Sequence, residues 1–270
     1  MNAQPLKTAL TFGAVVAMAA CGDSTGVDGP QNVSLNFRVT EAPAPTAAAQ
    51  AVAGPARVVD VAGDNGTLTL NRILVVVNEV QLKPADGSCD LVTTSDTSDD
   101  CPEFEAPPRF LDLPLDGSPV AAVTAMIPAG TYKELDFEIE DLEDDEEEVG
   151  MAAAIEAVRT QILGEFPDWP RKASALILGT FQPVGGAAED FRVYIDAEIE
   201  IEFELLPNLV VAADGSASRS LTVDIRPDIW FMNQDGTVRD LREFDYDLTQ
   251  SLMELEVEME EGFTKVEIDS

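Results

Sequence analysis

Residues 191–206 read FRVYIDAEIEIEFELL. Phe191, Val193, Ile195, Ala197, Ile199, Ile201 and Phe203 occupy one set of alternate positions, and Arg192, Tyr194, Asp196, Glu198, Glu200, Glu202 and Glu204 the other. Successive side chains of an extended chain point to opposite faces, so a period of two gives one apolar face and one acidic face. A helix would scatter the same glutamates around its axis. The run therefore predicts a long, half-buried β-strand with its apolar side on a core and its charged side in water.

The same pattern recurs on both sides of this run. Toward the N-terminus, VSLNFRV (33–39) alternates strictly. Residues 58–84, VVDVAGDNGTLTLNRILVVVNEVQLKP, predict a hairpin about Asp64-Asn65-Gly66, because Asn-Gly supplies the positive φ angles of tight hairpin turns. The second arm changes phase at Val75-Val76-Val77, which a bulge or a doubly buried centre explains. RFLDLPL (109–115) is a short strand. Ile127-Pro128-Ala129-Gly130 turns into TYKELDFEIEDL, where Leu135, Phe137 and Ile139 alternate with Asp136, Glu138 and Glu140. ASALILGTFQPV (173–184) precedes the quoted run and SLTVDIRPDIWF (220–231) follows it. Pro227 there marks an edge or a bulge, and a strand reading puts Trp230 and Phe231 on opposite faces. Ala213-Asp214-Gly215 and Gln234-Asp235-Gly236 are turns.

One segment has helical spacing: Met151, Ile155, Val158, Ile162 and Phe166. The acidic block DLEDDEEEVG (141–150) precedes it, favourably placed against a helix macrodipole. At the end of the chain Leu248, Leu252, Leu255 and Met259 fit a helix. Leu255, Val257 and Met259 alternating with Glu254, Glu256, Glu258 and Glu260 fit a strand, and a hairpin about Glu261-Gly262 is the favoured reading. Many short strands, Gly/Asp turns and one amphipathic helix, inserted together with the acidic segment at 141–166, predict an all-β fold. The expected architecture is an antiparallel β-sandwich, immunoglobulin-like or transthyretin-like, spanning 33–270. Residues 41–56, EAPAPTAAAQAVAGPA, are an Ala/Pro-rich linker or surface loop.

The N-terminus is of another kind. An apolar run from Ala9 to Cys21 follows Lys7 and ends in Met18-Ala19-Ala20-Cys21. It is shorter than the ~20 residues that a membrane-crossing helix needs. A cation, a short apolar stretch and a small-residue exit predict a signal peptide over 1–20. MAAC resembles the lipobox of bacterial lipoproteins, with Met18 where leucine is usual. The resemblance implies cleavage before Cys21, a lipid on its sulfur, and a polar tether over 21–32. Gly22 after the cysteine implies an outer-membrane destination.

The chain has 51 Asp plus Glu against 16 Lys plus Arg, a formal charge of −35. Such a field repels nucleic acid and anionic headgroups. Solubility in a salty habitat, a cation site and a cationic partner would each account for it. Besides Cys21 there are Cys89 and Cys101, flanking the polar segment DLVTTSDTSDD. In an exported chain they predict a disulfide, whose loop closure contributes about 3 kcal/mol. Zinc is the weaker reading, since the chain has no histidine.

The lack of histidine also removes Ser-His-Asp and Cys-His constellations. A carboxylate pair of glycosidase type needs no histidine, but the abundance of acids makes any one pair uninformative. Calcium takes six to eight oxygen ligands, and Asp141, Glu143, Asp144 and Asp145 are local candidates. A second candidate is the field of Glu138, Glu140, Glu198, Glu200 and Glu202, provided that those strands are neighbours. Trp169, in PDWP, is a candidate stacking ring for a sugar.

VSLNFRVTEAP, LTLNRILVVVNEVQLKP, FLDLPL and IPAGTYKELDFEIEDL occur in an order that resembles a family of bacterial lipoproteins built on an uncharacterised domain. In that family the first strand ends Thr-Asp-Ala-Pro and a later turn reads Leu-Pro-Ala-Gly-Thr-Tyr. Here the two read Thr40-Glu41-Ala42-Pro43 and Ile127-Pro128-Ala129-Gly130-Thr131-Tyr132. The resemblance covers the N-terminal half and implies a sandwich with no assigned activity. The expectation is a non-enzymatic, lipid-anchored module of the cell envelope with a structural or binding role, its partner a glycan or an envelope protein. The rivals are a calcium-dependent carbohydrate-binding or adhesin-like protein and a glycoside hydrolase.

Overall fold

A computed structural model describes residues 31–40, 58–85, 104–142, 151–212 and 218–269. The expected signal peptide, the linker at 41–56, Cys21, Cys89, Cys101, Glu143, Asp144 and Asp145 lie outside these residues.

Two sheets face each other. The smaller has the order β13 (Phe263–Asp269), β11 (Arg219–Ile225), β1 (Gln31–Val39), β6 (Val120–Ile127). The larger follows β10 (Ile199–Val211), β7 (Gly130–Ile139), β3 (Gly66–Pro84), β8 (Ala175–Pro183), β9 (Glu189–Asp196) and β12 (Met253–Glu254). The short strands β2 (Val59–Gly63), β4 (Phe104–Ala106) and β5 (Arg109–Asp112) also pair with β3. Alternate residues of each sheet fill one shared core: Val33, Leu35, Phe37 and Val39 from β1, Leu135, Phe137 and Ile139 from β7, Ile199 and Ile201 from β10. Phe37 and Phe137 meet across the sheets with ring centroids 5.0 Å apart. The sandwich read from the alternation is the fold observed.

β3 is the trunk of the larger sheet. β8 pairs with its first half, residues 66–75, and β7 with its second, 77–84. Irregularities at Leu70/Arg72 and Val77/Val80 shift the register, and each one-residue shift moves the side chains to the other face. Between them Ile73, Val75 and Val77 enter the inter-sheet core, while Leu74 and Val76 are buried on the opposite face. Both explanations of the Val75-Val76-Val77 phase change thus hold together. Helix α1 (Ala152–Glu165) supplies part of the outer cover: Val158 and Ile162 pack on Val76, as the helical spacing predicted.

Several expectations need correction. The run 191–206 is two strands, β9 and β10, parted at Ala197-Glu198 and placed on different neighbours. The alternation passes through the break unchanged and so hides it. The sandwich is not wholly antiparallel: β1 runs parallel to β11, and β12 parallel to β9. β6 has no clean apolar period to mark it: three of its seven apolar residues are alanines, and apolar residues fall on both faces. Pro227 opens the short helix α2 (Pro227–Phe231) rather than an edge or bulge, which suits proline since its missing N–H is unneeded there. Trp230 and Phe231, on that helix, are consequently both buried. A further short helix, α3 (Tyr246–Thr249), follows a 3-10 turn at Leu241–Phe244. The favoured hairpin about Glu261-Gly262 is instead helix α4 (Glu256–Gly262) followed by β13, with Leu255 and Met259 buried one turn apart. The inserted helix is therefore one of four among the described residues.

Candidate functional site: an acidic sheet face

Leu135, Phe137 and Ile139 of β7 point into the core, as do Ile199, Ile201 and Leu205 of β10. The residues between them must then share the opposite face. The antiparallel register sets Glu200 against Glu138, Glu202 against Asp136 and Glu204 against Glu134. Gln81 and Lys83 of β3 stand beside Asp136 and Glu134 on the other flank of β7. The neighbouring strands required for a cross-strand carboxylate field are thus observed. Like charges directly opposed in a sheet are destabilising unless something neutralises them.

At one end the chain supplies its own counter-ion. Carboxylate oxygens of Glu134, Asp136 and Glu202 lie within 4.8 Å of one another. Lys83 Nζ stands among them, 2.8 Å from Glu134, 3.6 Å from Glu202 and in close contact with Asp136. Hydrogen bonds to Asp136 and Glu134 hold this ammonium protonated well above the usual lysine range. Asp136 is only 4% exposed, and burial pushes its carboxyl up against the opposing pull of Lys83. The ammonium therefore occupies the convergence point that a metal would otherwise take.

Further along the face no such cation is found among the described residues. Among the described residues Glu138, Glu140 and Glu200 make no salt bridge. Asn78 donates to Glu140 at 3.1 Å. Burial, with Glu79, Glu140 and Glu200 nearby, pushes the Glu138 carboxyl up to about 7. The native state thus keeps a proton that the unfolded chain has already released, so stability falls as pH rises through that interval and the penalty stands in full above it. We expect Glu138→Gln to leave stability unchanged near pH 4.5. Slightly above neutrality it should stabilise by on the order of 1 kcal/mol, screening having reduced the effect for this half-exposed group. Denaturant unfolding of the two proteins across that range checks it.

Of the other expected site residues, Asp141 is buried immediately beyond β7 and is not part of the convergent carboxylate group. Trp169 is half-buried rather than an exposed platform: its indole N–H donates to Ala173 O at 3.0 Å, and Phe110 and Tyr194 pack edge-on at 5.4 and 5.2 Å. Lys83 was not singled out from the sequence. Its place in the alternation of β3 was the available signal; the register that sets it against Glu134 was not.

No protein-family model matches the chain, and no curated protein does. Among solved structures, MbnP from Methylosinus trichosporium superposes with a TM-score of 0.33 at 14% identity, over 72% of this chain and 75% of that one. At that distance the likeness says nothing of what this chain binds. No helix among the described residues is long and apolar enough to cross a membrane.

Proposed function

We propose that the chain is a binding module of the bacterial cell envelope, held at the outer membrane through a lipid on Cys21, whose acidic sheet face takes a divalent cation of the calcium class. The MAAC exit, the polar tether after it and the resemblance to envelope lipoproteins support the anchoring. The observation that carries the binding is the register of β7 against β10, which opposes Glu138 to Glu200 and Asp136 to Glu202 with Lys83 serving only one end. A hard divalent cation with oxygen ligands neutralises the remainder once the Glu138 and Glu200 side chains turn toward it. The reading is non-enzymatic, because these carboxylates lie along a sheet face and not across a cleft, and a glycosidase needs two that flank a bound sugar.

Equilibrium dialysis of residues 22–270 against calcium tests this, with magnesium and sodium as controls. The expected result is saturable calcium binding that Glu138→Gln with Glu200→Gln abolishes. Binding of equal strength in that variant would assign the calcium elsewhere, and no saturable binding would leave the acidic face to solubility alone.

A further inference from the structure

The smaller sheet ends at β13 in an open edge. Thr40 N donates to Ile225 O at 2.8 Å, so Ile225 turns its backbone groups toward β1, and Val223 and Leu221, two and four residues back, do the same. Ser220, Thr222 and Asp224, the residues between, then bond to β13, where the register sets them against Asp269, Glu267 and Lys265. That leaves the N–H and C=O groups of Val266 and Ile268 pointing away from β11. Among the described residues no strand lies on that side of β13. A groove of about 800 Å³ lies between this edge and the edge of the larger sheet, formed by β10. Val266 and Ile268 line it half-buried, and Leu206 and Val210 of β10 line it at 80% and 52% exposure.

Such an edge is a template for another strand, and proteins commonly guard it with a lysine. Here the guard has its complement two residues on: Lys265 and Glu267 flank Val266 on the outer face of β13. Lys265 Nζ stands 2.6 Å from Glu267 and 3.2 Å from Asp224, and Glu267 also meets Arg38 at 2.7 Å. When β13 meets a second β13 antiparallel, with Val266 opposite its own copy, Lys265 of each strand lies directly across from Glu267 of the other, and Thr264 across from Ile268. The match needs only opposite signs across the edge, and both residues keep their partners within the chain. Other registers that bring the open backbone groups together lose it. Centred on Lys265 or on Glu267 the pair opposes like charges, centred on Ile268 it sets Glu267 against Asp269, and centred on Thr264 it has no ion pair. We infer that β13 pairs with β13 of a second copy about a two-fold axis at Val266, joining the two smaller sheets and closing the groove over Leu206 and Val210. The contact does not depend on the cation proposed for the acidic face.

Sedimentation velocity of the full chain tests this, with EDTA present so that no divalent cation bridges two acidic faces. Protein is taken up to about 100 μM, within reach of a weak contact. At about 0.15 M salt, repulsion between two acidic copies is screened beyond roughly 8 Å. Lys265→Glu opposes acid to acid across the edge and Glu267→Lys opposes lysine to lysine, while Arg38 continues to hold Asp224 in each. The expected result is a reversible dimer of the parent protein, weakened about tenfold or more in either variant alone. An equal mixture of the two variants should restore it, since every pair across the edge is then again opposite in sign. Ile268→Pro, which removes an outward N–H and no bond to β11, should weaken the dimer without any change of charge. A parent protein that stays monomeric, variants that associate as the parent does, or a mixture of folded variants that stays monomeric would each overturn the inference.

Discussion

Replacing Lys83 by methionine is expected to lower stability by about 3 kcal/mol at neutral pH, a large share of what holds a domain together. The methylene stem is kept, so packing changes little. What is lost is the ammonium among Glu134, Asp136 and Glu202, and with it the partner of a buried carboxylate. Breaking a buried pair from one side costs more than the pair contributed, because the surviving charge remains uncompensated. Two observations distinguish this from simple loss of packing. Adding Asp136→Asn to the Lys83→Met protein should recover much of the loss. The defect should also shrink as pH falls, because Asp136, already raised by burial, then takes up a proton and the penalty on its charged form disappears. A defect that is independent of pH and not relieved by Asp136→Asn would mean that the cluster carries no such strain. Urea unfolding of the four proteins of the cycle measures the coupling.

The second large effect is expected far from any charge, at Gly262. A Cβ there would lie 1.8 Å from Trp230 Nε1 and 2.4 Å from Cδ1. The indole cannot yield easily. Trp230 is buried, its N–H donates to Met259 O at 3.1 Å, and Phe231 and Phe263 pack against it. Gly262 O also accepts from Arg226 N at 2.8 Å, tying the end of α4 to the start of α2. Gly262→Ala would ordinarily gain a few tenths of a kcal/mol from the stiffer unfolded chain. Here overpacking and a strained indole hydrogen bond outweigh that gain, and a net loss of about 3 kcal/mol is expected. Trp230→Phe removes the atoms that the new methyl would strike. The double variant should accordingly lose less than the sum of the two single losses, measured as midpoints of thermal unfolding.

These two sites differ in how far they could be read from the sequence. The sandwich and the acidic faces were legible because alternation reports directly which side of a strand is buried. Leu135-Phe137-Ile139 and Ile199-Ile201 each named their own inward face. Alternation is silent on which strand lies beside which, so the meeting of Glu138 with Glu200 stood as a condition until the register supplied it. The break at Ala197-Glu198 was invisible for the same reason: no glycine or proline marks it, and the phase is kept. The Trp230–Gly262 contact had no local signal at all. It joins α2 to α4 through packing, and alternation predicts a strand for each segment: SLTVDI alternates up to Pro227, and glutamates alternate with Leu255, Val257 and Met259. Burial chose the other period of that segment, since Leu255 and Met259 reach the core from one helical face while Val257 stays exposed. The parallel pairing of β1 with β11 links residues nearly two hundred positions apart and leaves no mark in either strand.

The claim that the acidic face answers to a specific cation is tested most directly by thermal unfolding of residues 22–270 slightly above neutral pH. Millimolar calcium chloride is compared with sodium chloride of equal ionic strength. A ligand that binds the folded state raises the midpoint by mass action, whereas screening depends on ionic strength alone. We predict a higher midpoint in calcium, with the excess lost in the Glu138→Gln, Glu200→Gln protein. Equal midpoints in the two salts would contradict the proposal and leave the opposed carboxylates as a screened, solvated surface.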